Sequence, residues 1–237
     1  MRSTERHQLK QDKFAATTAE TYSWAVEHQK EVIAATIAIV VALGIVLGLY
    51  VYFQHQGQQA AVQLNQAMRT YTAGIRPANV PAQPGEESFT SVADRANAAR
   101  PKFQAVADSF SHTDAGKMAL YMVGVTQAEA GNNSAAEATL QKAANAGGKD
   151  IASLANLSLA NLYASTGREQ QAIDLYKKLI EKPTNTVNQS TARMALAQVY
   201  ATKDPAKARE LYEQIKKDDP NSAASTLANN RLEALKQ

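Results

Sequence analysis

The chain has 237 residues, of which 25 are basic and 22 are acidic, and it contains no cysteine. The lack of cysteine excludes disulfides, thiolate-bound zinc, thiol catalysis and a lipidated cysteine anchor. Charge is nearly balanced and no run of Lys and Arg is interleaved with aromatic residues, so nucleic-acid binding has little support.

A polar tail, residues 1–31, precedes the first apolar segment. Its basic residues are Arg2, Arg6, Lys10, Lys13 and Lys30. Beyond the apolar segment the first basic residue is Arg69. Because Lys and Arg concentrate on the cytoplasmic side of a membrane span, we expect a cytoplasmic tail and a C-terminal region on the far side of the membrane.

The apolar segment covers residues 32–53 and contains no Asp, Glu, Lys, Arg, Asn or Gln. As a helix it would be roughly 33 Å long, against a hydrocarbon core of about 30 Å. A cleaved leader would have a shorter apolar region, and cleavage near Ala60-Ala61 stays open as an alternative. A buried soluble helix would carry a polar stripe, which this segment lacks. The sequence therefore predicts one transmembrane helix.

Two glycines within the span, Gly44 and Gly48, have the GxxxG spacing. This spacing lets two membrane helices approach closely. The corresponding prediction is helix packing through these glycines and a homodimer.

After the span, residues 54–73 consist mostly of good helix formers with apolar residues spaced by three and four, which predicts a membrane-proximal helix. Residues 74–88 contain three prolines and two glycines, which predicts a loop or linker. From residue 89 onward the periodicity is helical. Since no run alternates with a period of two, β-sheet is not expected.

A repeat with a period of 36 residues runs through the helical region. Its alanines are Ala136, Ala172 and Ala208, each followed four residues later by Leu140, Tyr176 and Tyr212. Two antiparallel helices can pack closely only where one of them has a small residue at the crossing. We therefore expect these alanines, together with Ala160 and Ala197, to be the contact points between helices. The pattern predicts three helical hairpins.

Turn signals separate the helices of each hairpin. Gly131 and Gly167 suit the left-handed residue that ends a helix. Ser134 with Glu137 predicts a capping box, and Asp204-Pro205 predicts an N-cap followed by a first-turn proline. Upstream, residues 96–110 resemble the second helix of an incomplete unit. Downstream, residues 222–236 resemble a capping helix that exposes Arg231, Glu233 and Lys236.

These hairpins resemble the tetratricopeptide repeat family, and LANLYASTGREQQAIDLYKKL carries the likeness best. In the first copy Gln127 stands where the family favours Tyr. The resemblance implies an all-α fold, in which a single N-terminal transmembrane helix is followed by a tetratricopeptide-type helical-hairpin solenoid over residues 89–237, with a C-terminal capping helix.

The arrangement of a tail ending in Tyr22-Ser23-Trp24, one span, the stretch QQAAVQLNQAM and about three repeats resembles the YfgM-like family of ancillary subunits of the bacterial SecYEG translocon. This resemblance implies a single-pass inner-membrane protein with a periplasmic repeat domain. It also implies protein partners: translocon subunits, a periplasmic chaperone or exported chains. The Pro-rich loop and the nearly neutral repeat domain depart from the pattern and leave the partner open.

No catalytic, cofactor or metal site is predicted. His7, His28, His55 and His112 are scattered and have no metal-ligand spacing. No nucleophile turn such as GxSxG and no Gly-rich phosphate loop occurs. We therefore expect a binding protein rather than an enzyme.

Repeats of this kind form a concave surface from their first helices. The residues that the family pattern predicts there are Met118, Tyr121, Val125, Leu157, Asn161, Met194 and Gln198. Their apolar groups and amides suit an extended peptide. In the alternative interpretation, Tyr121, Leu157 and Met194 belong simply to the core.

The sequence thus predicts a membrane-anchored protein–protein interaction scaffold. The YfgM-like resemblance implies that it assists protein export or recruits a periplasmic chaperone at the translocon. The alternative is a structural protein that self-associates and organises the cell envelope. A chaperone that holds unfolded clients is a third hypothesis.

Overall fold

The computed structural model describes Trp24, residues 26–82 and residues 84–235. The regular secondary structure of these residues is almost entirely α-helical, which confirms the predicted all-α class. They divide into two compact units, with the boundary between Gln54 and His55. Most of the predicted cytoplasmic tail, including Arg2, Lys10 and Tyr22, lies outside the described residues.

The first helix, α1, runs without interruption over Gln29–Tyr71. The predicted span and the predicted membrane-proximal helix are therefore parts of one helix. From Ile33 to Gln54 every side chain is exposed, and the helix is long and apolar enough to cross a membrane. Thr36 satisfies its hydroxyl internally by donating a 2.8 Å hydrogen bond to the Val32 carbonyl, as a polar group in an apolar helix must.

The second unit consists of helices joined by short turns. Their bounds are α2 Val92–Ser109, α3 Asp114–Glu129, α4 Asn133–Ala146, α5 Lys149–Ser165, α6 Glu169–Glu181, α7 Gln189–Tyr200, α8 Pro205–Asp218 and α9 Ala223–Ala234. Each helix packs against the next along the chain from α2 onward. The predicted hairpins correspond to α3–α4, α5–α6 and α7–α8, and the predicted capping helix corresponds to α9, while Lys236 lies outside the described residues.

The last three turns of α1 pack against α2 and complete the unit that appeared to lack a first helix. Ala60 and Ala67 are buried in one cluster with Ala99 and Phe103. The Tyr71 ring meets the Phe103 ring edge-on, with centroids 6.0 Å apart. The sequence pattern missed this pairing because the partner helix is continuous with the apolar span.

The predicted loop at residues 74–88 contains a minimal sheet. Strand β1 (Gly74–Ile75) pairs in parallel with β2 (Ser88–Phe89), in the register Gly74 to Ser88 and Ile75 to Phe89. We did not expect any strand, and two-residue strands are too short to show a period of two. Glu87 holds the end of this loop, since it accepts a 2.9 Å hydrogen bond from the Thr70 hydroxyl and lies 3.6 Å from Lys102 Nζ.

The repeated small residues lie in the core. Ala136, Ala172 and Ala208 are all fully buried, as are Ala160 and Ala197. The large residues one turn later, Leu140, Tyr176 and Tyr212, are also buried, because they fill the space that each small residue leaves.

The turn predictions have mixed outcomes. Gly131 and Gly167 adopt φ values of +82° and +77°, which confirms their role at helix ends. Asp204 caps α8 by accepting a hydrogen bond from the Lys207 N–H, with Pro205 in the first turn. The capping box is wrong, because α4 begins at Asn133 and Ser134 therefore lies inside the helix.

Candidate functional site

The first helices of the three hairpins, α3, α5 and α7, are neighbours, and α9 continues the row. We call the surface lined by Val125, Leu157, Asn161, Met194 and Gln198 the first-helix surface. Three adjoining grooves lie along it.

The α5–α7–α9 groove has a volume of about 370 Å³. It brings together four of the predicted residues: Leu157 and Asn161 from α5, and Met194 and Gln198 from α7. Met194 is buried and Leu157 is half-buried, whereas Asn161 and Gln198 are exposed. The groove therefore offers apolar contact area together with hydrogen-bonding groups.

Two further grooves extend this surface. The α5–α6–α7 groove, of about 370 Å³, includes Asn161, Tyr176 and Gln198. The α3–α5 groove, of about 380 Å³, includes Val125 and Asn161. Asn161 lines all three grooves, which makes it the central polar residue of the surface.

A core residue, Tyr176, fixes the orientation of the Asn161 side chain. The Tyr176 hydroxyl donates a 2.6 Å hydrogen bond to its Oδ1. Because the oxygen accepts this bond, the amide NH₂ group remains as a donor at the grooves. Burial raises the pKa of Tyr176 to about 12, so the hydroxyl keeps its proton well into the alkaline range.

Glu129 lines the α3–α5 groove. Its Oε1 accepts a 2.7 Å hydrogen bond from the Tyr71 hydroxyl. Burial, followed by this bond, raises the pKa of Tyr71. The other carboxylate oxygen of Glu129, Oε2, is buried and has no hydrogen-bond partner among the described residues. Sequence reasoning missed Glu129, because its partner belongs to α1, which we had not placed beside the repeats.

Two of the predicted residues do not line these grooves. Tyr121 packs into the cores around both Phe103 and Leu140, and its hydroxyl lies 3.3 Å from Ser158 Oγ. Met118 is half-buried on the same helix, α3. Leu157 and Met194 pack into the core as well as lining a groove, so the core interpretation and the surface interpretation both apply to them. Partner binding by these residues stays a prediction.

The capping helix contributes a groove wall that the sequence analysis did not foresee. Leu227 of α9 is 41% exposed and lines the α5–α7–α9 groove with Ala224. Asn188 and Thr191 line it from the start of α7, where Asn188 Oδ1 accepts a hydrogen bond from the Thr191 N–H. The feature that could have indicated this groove wall is Leu227 itself, a large apolar residue that is exposed beside the buried Ala228 and Leu232.

The charges around the grooves are sparse. In the part of the chain that the structure describes, no Lys or Arg lines the three grooves. Glu169 lines one of them and is paired with Lys203, 2.6 Å from its Nζ. The grooves therefore lack the cations that would bind a terminal carboxylate.

No candidate metal centre occurs within the described ranges, where no three His, Cys, Asp or Glu side chains cluster. His28 stacks instead on Trp24, with ring centroids 4.9 Å apart. On the apolar part of α1, Gly44 and Gly48 have open space, since a Cβ at either position would meet no atom within 4 Å.

The family models that match this chain agree with this architecture. A family model described as a tetratricopeptide repeat-like domain matches residues 22–178, and one described as a tetratricopeptide repeat matches residues 192–222. No curated protein shows a significant match. The crystal structure of a tetratricopeptide repeat protein from Parabacteroides merdae ATCC 43184 is similar, with 19% sequence identity and a TM-score of 0.46. The match covers 60% of this chain and 54%, about half, of that one. Because the first family model covers about two thirds of the sequence, the chain belongs to the tetratricopeptide repeat-like domain family.

Proposed function

We propose that this protein is a membrane-anchored scaffold whose first-helix surface binds an extended segment of another protein. Tetratricopeptide repeats are protein-interaction modules that bind through extended surfaces. The observation that carries the proposal is the row of three grooves that share Asn161.

The chemistry of the grooves favours an extended polypeptide. Its side chains would contact the apolar groups of Leu157, Met194 and Leu227, which line one groove. Its backbone would hydrogen-bond to the amides of Asn161 and Gln198, because each backbone unit carries one donor and one acceptor. A row of grooves is better suited to binding an extended polypeptide than to binding a compact ligand.

The apolar part of α1 supports membrane anchoring, since it is long and apolar enough to span a bilayer. Tethering raises the effective concentration of the repeat unit near a partner in the same membrane. The Lys and Arg residues before the span favour an N-terminus in the cytoplasm and a repeat unit in the periplasm of a bacterium.

A cysteine-labelling experiment tests this orientation, because the natural chain has no cysteine. In intact spheroplasts a membrane-impermeant maleimide should label Thr226→Cys, in α9, and should label Ser3→Cys only after lysis. The reverse pattern would contradict a periplasmic repeat unit.

We further propose that the partner belongs to the protein-export machinery: a translocon subunit, a periplasmic chaperone or an exported chain. The proposal rests on the resemblance to the YfgM-like family and on the combination of anchor and repeats. A photo-crosslinking residue at Gln198 in intact cells should form adducts with such proteins, identified by mass spectrometry. The matched control is Lys217, which is exposed on α8 and lines none of the three grooves. Adducts that contain no export component, or equal adducts from both positions, would count against this role.

The second candidate is a self-associating structural protein of the envelope. The open space around Gly44 and Gly48 favours it, because a second helix could approach there. A full-length chain that is dimeric in detergent, and becomes monomeric with Gly44→Leu and Gly48→Leu, would support it. A monomeric natural chain would contradict it.

A further inference from the structure

A separate groove lies between α5 and the second helices α4 and α6, and we call it the second-helix groove. Its main cavity, of about 430 Å³, lies between the start of α5, the end of α6 and the turn that follows. It shares no lining residue with the grooves of the first-helix surface. Leu175 and Leu179 of α6 give it an apolar wall.

Three lysines line this cavity: Lys149, Lys178 and Lys182. All three are exposed, and among the described residues none lies within ion-pair distance of a carboxylate. Asp150 and Glu181 are neighbours in sequence but do not line the cavity. The three ammonium groups therefore form a positive rim beside an apolar wall, and none of them is engaged in an ion pair among the described residues.

The start of α5 adds to the positive potential at this end. Its N-cap residue is Gly148, which has no side chain to accept hydrogen bonds from the first turn. The first backbone N–H groups of a helix carry partial positive charge, so they reinforce Lys149. Asp150 also lies in this first turn and offsets part of this potential, so the attraction for an anionic group rests mainly on the three lysines.

The cavity continues into a second one of about 390 Å³, and the two share Asn156, Leu175 and Lys178. The continuation carries amide side chains from α4 and α6, including Gln141, and one acidic residue, Asp174. Gln170 donates a 2.9 Å hydrogen bond to Asp174. The combined groove is long, basic at one end and rich in amides at the other, which suits an extended chain rather than a compact anion.

We propose that the second-helix groove binds an extended protein segment in which acidic and apolar side chains alternate. The acidic side chains pair with Lys149, Lys178 and Lys182, and the apolar ones pack against Leu175 and Leu179. This site is independent of the first-helix surface, so one repeat unit holds two protein segments at once and bridges two partners.

The test uses the full chain in nanodiscs of phosphatidylcholine, a lipid without net charge. A short fluorescein-labelled peptide that alternates Asp and Leu should bind, measured by anisotropy. Its counterpart with Asn in place of Asp should bind about tenfold more weakly, because it loses the pairing with the lysines. The triple variant Lys149→Gln, Lys178→Gln, Lys182→Gln should lose about tenfold in affinity for the acidic peptide.

The matched control is Lys142→Gln, Lys177→Gln, Lys217→Gln, which removes the same charge from exposed lysines outside this groove. It should keep the natural affinity. A second variant, Lys178→Glu with Lys182→Glu, should prefer a peptide that alternates Lys and Leu, which shows that the charge itself selects the ligand. None of these variants should change the affinity of a neutral peptide for the first-helix surface. A loss of binding at one site can therefore be distinguished from a loss at the other.

Equal losses in the triple variant and its control would overturn the proposal, because the attraction would then be nonspecific. Equal binding of the Asp and Asn peptides would overturn it as well. If phosphatidylglycerol vesicles bound in a lysine-dependent way while the acidic peptide did not bind, the groove would be a lipid site instead.

Discussion

The Tyr176 hydroxyl donates a 2.6 Å hydrogen bond to Asn161 Oδ1 and thereby links a core residue to the polar centre of the first-helix surface. Tyr176 is one of the large residues of the 36-residue repeat, and its ring is 2% exposed. A buried ring has few rotamers available, so it holds the Asn161 amide in a fixed orientation. Peptide binding should therefore depend on a residue that lies beneath the surface.

Tyr176→Phe keeps the ring and removes only this hydrogen bond. We expect the free energy of unfolding to fall by about 1 kcal/mol, and peptide affinity to fall about threefold because Asn161 loses its orientation. Urea unfolding and anisotropy measure the two effects. Tyr212→Phe is the control, since the Tyr212 ring is buried and, within the described ranges, its hydroxyl has no hydrogen bond. A change of equal size in both variants would contradict the role assigned to the Tyr176–Asn161 bond.

Stability should depend on Tyr176 at high pH. Burial raises its pKa from 10.0 to about 12 in the folded protein. A raised folded pKa stabilises the protein fully below the unfolded pKa near 10, and this contribution is lost as pH rises through about 12. As the pH is raised from about 10 to about 12, the urea midpoint of unfolding should therefore fall more steeply for the natural chain than for Tyr176→Phe. Parallel curves would contradict the raised pKa.

Gly116 permits a close approach between α3 and the turn before it. A Cβ at this position would lie 1.9 Å from the Phe110 carbonyl oxygen, which is backbone and cannot move alone. Gly116→Ala should cost about 3 kcal/mol, measured by urea unfolding of the repeat unit. Gly57→Ala is the control, because a Cβ there meets nothing within 4 Å. An unchanged midpoint for Gly116→Ala would contradict this packing.

Glu137 connects two repeats rather than capping its own helix. Its Oε2 lies 2.8 Å from Arg168 Nη1, and its Oε1 accepts a 3.0 Å hydrogen bond from the Tyr163 hydroxyl. Arg168 also lies over the Tyr163 ring, 4.3 Å from its centroid. Glu137→Ala should cost about 1.5 kcal/mol of unfolding free energy, because a half-buried network is lost.

Glu213→Ala is the comparison for that change. Glu213 pairs with Lys216 at 3.3 Å within one helix, and its side chain is 57% exposed. Such a pair should contribute at most about 0.5 kcal/mol. Equal effects of the two substitutions in urea unfolding would contradict the inter-repeat network.

The helical hairpins could be predicted because Ala136, Ala172 and Ala208 are local signals of close packing that recur at one period. The capping role of Glu137 could not be judged from spacing alone, since its partners lie in the next hairpin. The pairing of α1 with α2 was missed for a related reason. The residues of α1 after Ala60 belong to the same helix as the apolar span. The sequence does not reveal at which residue this helix stops being exposed and begins to pack against another helix.

The candidate site was predicted in part. Leu157, Asn161, Met194 and Gln198 were expected together because they share one face of successive first helices. Glu129 and Leu227 were missed, since each lines a groove only through long-range packing. The Tyr176–Asn161 bond also joins residues on different helices, which no short-range pattern reports.

The most direct test of the central claim is the binding of a neutral peptide that alternates apolar and amide side chains. The full chain in phosphatidylcholine nanodiscs should bind a fluorescein-labelled peptide of this kind. Asn161→Ala with Gln198→Ala should weaken binding at least about fivefold, because two amides at the grooves are lost. The matched variant Asn145→Ala with Gln171→Ala, which removes two amides from the second-helix groove, should bind as the natural chain does. Equal affinity of the natural chain and the Asn161→Ala, Gln198→Ala variant would contradict the claim that the first-helix surface binds an extended polypeptide.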